Sequence, residues 1–340
     1  PKHEKVDILN KNNQQSVNVE NIYRSFVFSL DGTKNFQFLF GGISRLLNNH
    51  HECISAFFGS ATKQIEFHQE LLVLFWKLAD GNSKFLLFCI QQVDVNEIVL
   101  PCLYFMWTGR NRPSMAGLVH LCTFILLLLS GERNFGVSLN KPYSGILPLS
   151  DITKFTGTCA DLLIIVCHKL VVNGHRTLDS LYNCFLTIIS NISPYIKSMC
   201  LPTCLKLLNL FEIFSGKRYL LAQDTNHQFV FFLMDIFNNI IQYQYAGNSH
   251  LIYAIIRRKS TFDRLFNLKL DRNDQGNNNN DNNSKTNTDT VKTDDEEKTG
   301  INTASPEIEK SNSSSEVNEA KFVPTLDWLE AWKARLPIGT

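Results

Sequence analysis

The sequence predicts an all-α protein, an irregular stack of helical hairpins of the armadillo or HEAT kind. Apolar residues recur at helical spacing from about residue 20 to residue 270, short breakers separate the periodic segments, and no alternating strands bounded by hairpin turns occur. Successive amphipathic helices with short connections bury their apolar faces by stacking in pairs. The sequence has no fixed repeat length, so an irregular globular bundle stays open as the alternative.

The composition supports a sizeable core and divides the chain by charge. The 340 residues are 44% hydrophobic and include 25 Phe, which is ample material for a core. The formal net charge is +1, but residues 271–320 contain 12 acidic and 5 basic side chains, whereas the rest of the chain contains 20 acidic and 28 basic ones. A mildly basic body therefore carries an acidic segment.

Individual helices can be read from the apolar spacing. The clearest is predicted over residues 178–192, where one apolar stripe runs along the segment. The next is predicted to begin near Pro194 and to end near Gly216, and a further helix is predicted to place the apolar residues of 229–240 on one face. The glycines that punctuate these helices are Gly81, Gly109, Gly174, Gly216 and Gly247.

The longest apolar run, from Leu118 to Leu129, is interpreted as a buried core helix. A transmembrane helix needs about 20 consecutive apolar residues. This run is shorter and contains His120, so no membrane span is predicted.

Two polar segments flank the predicted body. Residues 1–20 are polar and are expected to form a flexible lead-in. Residues 271–320 contain no aromatic residue and no leucine, so they bury too little apolar surface to offset a backbone entropy cost of about 1–2 kcal/mol per residue. We therefore expect an α-helical body at 21–270 and a disordered, low-complexity, Asn-rich linker at 271–320.

Residues 321–340 are predicted to form a C-terminal helix that docks back onto the body. The segment "FVPTLDWLEAWKARLP" offers Thr325 as the N-cap and Pro337 as the stop. A helix this short is marginal alone, so burial of its apolar face is required for it to form. The candidate docking residues are Trp328, Leu329, Trp332 and Leu336.

The sequence predicts no catalytic, cofactor or metal site. The His and Cys residues at 50–53 and at 159–168 lack the second close pair that a tetrahedral metal site needs. The string "SGERNFG" lacks the order of a phosphate-binding loop, and neither GxSxG nor HExxH occurs. The nine Cys lie mostly in apolar runs without a CxxC pair, which is typical of reduced thiols in a cytosolic environment. No enzyme, no cofactor and no small-molecule substrate are therefore expected.

A polar, turn-rich segment from Gly131 to Phe155 follows the most apolar part of the sequence. Loops of this length in compact domains are usually functional or disordered, and the aromatic and aliphatic residues of this one argue against disorder. We interpret it as an ordered loop over the helical stack, either a brace for helix ends or a docking surface for a partner. The candidate interaction residues are Glu132, Arg133, Asn134, Phe135, Gly136, Lys141 and Tyr143.

A candidate basic surface consists of Arg257, Arg258 and Lys259, directly after the apolar stretch "SHLIYAII". Positive charges at the end of a helix commonly complement its dipole, and this interpretation is preferred. Contact with nucleic acid or with an anionic membrane face is the functional alternative. No nucleic-acid partner is predicted.

Several long strings carry a family resemblance. They are "LSGERNFGVSLNKPYSGILP", "FTGTCADLLI", "ISPYIKS", "VFFLMDIFNNIIQYQYAGNSHLIYAIIRR" and "FVPTLDWLEAWKARLP". They closely resemble the high-temperature-induced dauer-forming protein family, over most of residues 20–270 and the terminal segment.

The resemblance implies a non-enzymatic peripheral membrane protein on the cytosolic face of the Golgi and trans-Golgi network, distantly similar to dymeclin. It implies a role in sorting into secretory vesicles and granules, with protein partners of the secretory pathway. Family members attach to the membrane through an N-terminal myristoyl group on a Met-Gly start. This sequence begins at Pro1, so we expect the fragment to lack that anchor. The alternative function is a helical regulator, an exchange factor or activating protein, of a Golgi small GTPase.

Overall fold

The all-α prediction is confirmed. The computed structural model describes residues 21–55, 65–143, 156–270 and 322–336, with only the backbone described for 50–55. Their one β feature is an isolated antiparallel bridge between Pro142 and Thr158. The predicted lead-in at 1–20 and the predicted linker at 271–320 lie outside the described residues.

The helices are α1 (Ile22–Ser29), α2 (Thr33–Ser55), α3 (His68–Gly81), α4 (Ser83–Gln91), α5 (Asn96–Gly109), α6 (Ala116–Ser130), α7 (Arg133–Ser138), α8 (Cys159–Asn173), α9 (Tyr182–Ile192), α10 (Leu201–Phe214), α11 (Lys217–Leu220), α12 (His227–Gln244), α13 (Ser249–Arg257), α14 (Lys259–Phe266) and α15 (Leu326–Lys333).

Eight of these helices form two packed rows. The first row is α5, α8, α10 and α13, and the second row is α3, α6, α9 and α12. The pairs α5–α6, α8–α9 and α10–α12 each join one row to the other. The body is thus a stack of helical hairpins, which decides against the irregular bundle.

Side-chain hydrogen bonds show that neighbours in the first row run parallel. At the beginning of α10, the backbone N of Cys200 donates to Oδ1 of Asp161 in the first turn of α8, at 3.0 Å. Further along the same two helices, Nε2 of His168 is hydrogen-bonded to Oδ1 of Asn209 at 2.8 Å. The seam between α8 and α10 is therefore fixed at two points.

The second row is held in the same way. Near the end of α9, Nδ2 of Asn191 donates to Oγ of Ser130 at the end of α6, at 3.0 Å. Nδ2 of Asn239 in α12 donates to Oγ of Ser193, directly after α9, at 3.0 Å. Helices α6, α9 and α12 therefore also run parallel.

Helix α6 is the core helix that the sequence predicts. By length and composition alone, Pro113–Ser130 would be able to cross a membrane, as would the bent pair Ser83–Gln91 and Asn96–Gly109 if the two helices together counted as one span. In the structure α6 packs against α3, α5, α7 and α9. Its fully buried residues are Val119, Cys122, Thr123, Ile125, Leu126 and Leu129.

The predicted helix boundaries around residues 176–201 are wrong. Residues Arg176–Leu181 form a 3-10 turn before α9 rather than its first turns. Pro194 lies in a second 3-10 turn, Ser193–Tyr195, which continues α9, and α10 begins only at Leu201. Proline is tolerated in the first turn of a helix because the N–H it lacks has no partner there, and in α10 this position is taken by Pro202.

Asn248 connects the two rows at the turn between α12 and α13. Its side chain is fully buried, and its Nδ2 donates to the carbonyl oxygens of Ile196 and Gln244, both at 2.9 Å. Ile196 belongs to the extended segment that leads into α10. A Cβ on the adjacent Gly247 would collide with the carbonyl oxygen of Lys197, so this turn requires a close backbone approach.

We expect Asn248→Ala to lower the free energy of unfolding by about 1–3 kcal/mol, because one buried and one partly buried carbonyl oxygen lose their donor. Gln242→Ala, at an exposed position of α12, is the matched control and should change stability by less than about 0.5 kcal/mol. Equilibrium unfolding in urea measures both variants. Equal effects of the two substitutions would show that Asn248 does not hold the turn.

Candidate functional site

The segment after α6 is partly helical, which corrects the predicted loop. Residues Arg133–Ser138 form α7, and residues 144–155 lie outside the described part of the chain. The helix forms because Phe135 and Leu139, four residues apart, share a face and are both fully buried. The candidate interaction residues therefore lie at the start of a short helix, within it, and in the turn and isolated β-bridge that follow it.

Three of the candidate residues are buried and hold this segment in place. Phe135, Gly136 and Tyr143 are buried. The backbone N of Tyr143 donates to the carbonyl oxygen of Gly157 at 2.8 Å, and the backbone N of Cys159 donates to that of Lys141 at 3.0 Å. These bonds join the segment to the beginning of α8. Because Phe135, Gly136 and Tyr143 are buried, they do not face a partner.

Polar contacts add to this attachment. Nδ2 of Asn140 donates to the carbonyl oxygen of Tyr195 at 2.9 Å, and Oδ1 accepts from the backbone N of Lys197 at 2.8 Å. Nζ of Lys141 pairs with Oδ2 of Asp94 at 2.8 Å. Partial burial opposes the charge of Asp94, but the hydrogen bonds from Lys141 and Asn96 hold its pKa below the ordinary value. Lys141 thus braces the fold.

The other three candidates lie at the surface. Glu132 is half-buried and caps α7 only through its backbone, and Arg133 and Asn134 are exposed. The guanidinium of Arg133 lies 6.0 Å from the ring centroid of Tyr195, the outer limit of a cation–π contact. Within the described residues these three side chains form no hydrogen bond or ion pair, so they are available to a partner.

We expect Gly136→Val to lower the free energy of unfolding by about 1–3 kcal/mol or more. The backbone of Gly136 is helical, and even a Cβ would lie 2.6 Å from Cδ2 of Tyr195, so a larger side chain overpacks this contact. Gly131→Ala is the control, since its nearest contact would be an ordinary 3.5 Å. Thermal unfolding of both variants is the measurement, and a Gly136→Val protein as stable as the control would contradict the close packing.

The C-terminal helix α15 packs on the body. Thr325 is its N-cap, and Oγ1 accepts from the backbone N of Trp328 at 3.2 Å. The helix ends at Lys333, earlier than the predicted stop at Pro337. Leu329 and Trp332 are buried, at 3% and 2% exposure, whereas the candidates Trp328 and Leu336 are partly buried.

Aromatic side chains of α12 form the surface that receives α15. The indole of Trp332 stacks on the ring of His227 at 5.9 Å and meets the ring of Phe231 edge-on at 6.5 Å. Trp328 meets His227 edge-on at 5.8 Å. Nζ of Lys333 donates to the carbonyl oxygen of Leu268 at 3.1 Å. The contact is thus a small aromatic interface closed by one charged hydrogen bond.

Limited proteolysis within 271–320 tests how firmly α15 is held. We expect the cleaved C-terminal peptide to stay bound to the body through gel filtration, and Trp332→Ala to release it, because the largest buried side chain of the contact is lost. Leu326→Ala, at a position 53% exposed, is the control and should retain the peptide. A wild-type peptide that elutes separately from a stable body would contradict this packing.

The candidate basic surface divides into residues with different roles. Arg258, between α13 and α14, pairs with the carboxylate of Glu212 in α10. Arg257 lies in the last turn of α13, where a cation complements the helix dipole. Lys259 is the first residue of α14, where the dipole disfavours a cation. The helix-end interpretation therefore explains Arg257 but not Lys259.

The buried ionisable groups are not poised for chemistry. Burial raises the pKa of Cys159 to about 11 and those of Cys167 and Cys204 to about 12, so these thiols stay protonated. Burial lowers the pKa of His168 to about 4, which keeps its ring neutral. In the part of the chain that the structure covers, no three His, Cys, Asp or Glu side chains lie close enough to hold a metal ion.

Comparison with known proteins gives one family. The family model described as high-temperature-induced dauer-formation protein, Hid1, matches residues 1–320. Protein HID1 of Mus musculus is 52% identical over 252 residues, which are 74% of this chain and 32% of that protein. Protein HID1 of Dictyostelium discoideum is 37% identical over 255 residues, 75% of this chain and 28% of that protein.

One of the more distant relatives is a dymeclin. Dymeclin of Mus musculus is 20% identical over 224 residues, 56% of this chain and 32% of that protein. The chain spans about a third of the length of the curated relatives it matches. No solved structure matches the chain.

Proposed function

Because the chain belongs to the high-temperature-induced dauer-formation protein family, we propose that it is part of a non-enzymatic helical scaffold at the Golgi and trans-Golgi network. The scaffold acts in sorting cargo into secretory vesicles and granules. It works on the cytosolic face of these membranes and binds protein partners of the secretory pathway. Family membership is the observation that carries the proposal.

The surfaces of the stack support a role in binding. Helices of both rows carry exposed side chains on their outer sides, among them Leu201, Leu205 and Tyr253 on the first row, and stacked-hairpin proteins use such faces to bind extended partners. The exposed end of α7, with Glu132, Arg133 and Asn134, is one place for such contact. The buried Cys and His residues have pKa values that do not suit a nucleophile or a general base at neutral pH.

Removing Glu132 and Arg133 together tests this contact. We expect Glu132→Ala/Arg133→Ala to change the free energy of unfolding by less than about 0.5 kcal/mol, because neither side chain is anchored. Co-precipitation of secretory-pathway proteins with the full-length protein should fall roughly fivefold, the effect of about 1 kcal/mol at an interface.

The matched control is Asp263→Ala/Arg264→Ala, which removes the same two charges from exposed positions of α14. It should leave co-precipitation unchanged. If the α7 variant keeps full binding, the exposed end of α7 is not a docking surface. If it loses stability instead, the side chains brace the fold.

The proposed function as a whole is tested in cells that lack the protein. Full-length protein should co-fractionate with Golgi membranes and restore cargo sorting, and the measurement is the amount of cargo retained in secretory vesicles. Purified protein should leave nucleotide exchange and hydrolysis on Golgi small GTPases unchanged. Acceleration of either rate would replace the scaffold with the GTPase regulator as the function.

A further inference from the structure

Helices α10 and α13 leave apolar side chains in solvent on the outer side of the first row. Helix α10 is covered by α8, α12 and α13, and on its remaining side Leu201 and Leu205 are 45% and 41% exposed. On α13, Tyr253 and Ile256 are 62% and 67% exposed. These four side chains lie on two helices that pack against each other, and each is 41–67% exposed.

Cations lie close in sequence to these apolar side chains. Arg257 lies one turn after Tyr253, with its guanidinium 6.0 Å from that ring, and Lys259 follows in an exposed position. Lys206 on α10 lies beside Lys169 on α8, and partial burial and this second cation lower its pKa. The basic face is defined here as Leu201, Leu205, Lys206, Tyr253, Ile256, Arg257 and Lys259.

Few carboxylates balance these charges, and one of them, Asp263, is exposed one turn after Lys259 on α14. Helices α8, α10 and α13 contain two acidic residues, Asp161 and Glu212. Asp161 is buried, closes the capping box with Thr158 and accepts from Cys200. Glu212 pairs with Arg258. The basic face therefore combines positive charge with exposed apolar side chains, and it attracts an anionic partner that also offers apolar surface.

Two anionic occupants fit the charge, and the apolar side chains discriminate between them. The acidic segment 271–320 of this chain complements the charge, but it contains no aromatic residue and no leucine, so it leaves Tyr253 and Ile256 without apolar contact. An anionic bilayer offers phosphate and carboxylate headgroups to Arg and Lys and acyl chains to Tyr, Ile and Leu. Long basic side chains place their charge among headgroups while their stems contact apolar surface.

We propose that the basic face binds the anionic surface of a lipid bilayer, as a point of membrane contact within the folded body. The proposal rests on the proposed function in that this protein acts at a cytosolic membrane face. Its contact is reversible and electrostatic in its first stage, so it weakens with added salt. Tyr253 and Ile256 then enter the interfacial layer.

Flotation of the purified 340-residue chain with vesicles tests the proposal. We expect binding to phosphatidylcholine vesicles that contain about 30% phosphatidylserine, and at least about tenfold weaker binding to pure phosphatidylcholine. Arg257→Glu/Lys259→Glu should reduce binding to anionic vesicles at least about tenfold. Tyr253→Ala/Ile256→Ala should reduce it severalfold and leave the salt dependence in place.

Matched controls lie on the N-terminal helices. Ile22→Ala/Tyr23→Ala removes the same apolar residue types from positions 80% and 84% exposed on α1, and Arg24→Glu/Lys34→Glu reverses two exposed cations on α1 and α2. Both should bind anionic vesicles like the wild type. Thermal unfolding of every variant confirms that the altered surface residues leave the fold intact.

Three results would overturn the proposal. The first is equal binding to neutral and anionic vesicles, and the second is a loss of vesicle binding in the control pairs equal to that in the basic-face variants. The third is a chain that binds anionic vesicles only after the acidic residues of 271–320 are replaced by amides. The last result would identify the acidic segment as the occupant of the basic face. Vesicles contain no secretory proteins, so failure here leaves the scaffold function standing. Failure of cargo sorting in cells with intact vesicle binding would instead count against the scaffold alone.

Discussion

The burial of α8 is the constraint on which the rest of the structure depends. Every residue from Cys159 to Cys167 is buried, and so is His168 after them. A helix that is apolar all round requires neighbours on every side, and α5, α9 and α10 supply them. Its one buried carboxylate, Asp161, is satisfied by its own helix cap and by the beginning of α10, so the polar group needed at a helix start also fixes the next helix of the row.

Both candidate surfaces take their positions from this central helix. The segment with α7 is attached to the beginning of α8 through backbone hydrogen bonds of Tyr143 and Cys159. The basic face lies on α10 and α13, which continue the row from α8, and on the first residue of α14. A surface contact at either place is therefore presented by helices that are attached to the buried core of the stack.

Helices that follow from the periodicity of their own segment could be predicted from the sequence. Elements that are fixed by contacts with distant residues could not. The apolar stripes of α9 and α12 predicted helices because side-chain spacing is a property of the segment itself. The 3-10 turns around Pro194 and the helix α7 were missed, since they are fixed by contacts such as Asn140 with Tyr195, 55 residues away. The pairing of Lys141 with Asp94 and the stacking of Trp332 on His227 have no local signal, although the apolar face of α15 did indicate that it needs a docking surface.

Because neighbouring helices enclose it, we expect α8 to hold the stack together and to open only when the whole body unfolds. Hydrogen exchange of its backbone amides measures this most directly, because local and global opening differ in free energy. We expect the amides of residues 162–170 to exchange with the free energy of global unfolding obtained from urea titration, and more slowly than those of α1 and α15. Exchange of α8 at a lower free energy, while neighbouring helices stay protected, would contradict it.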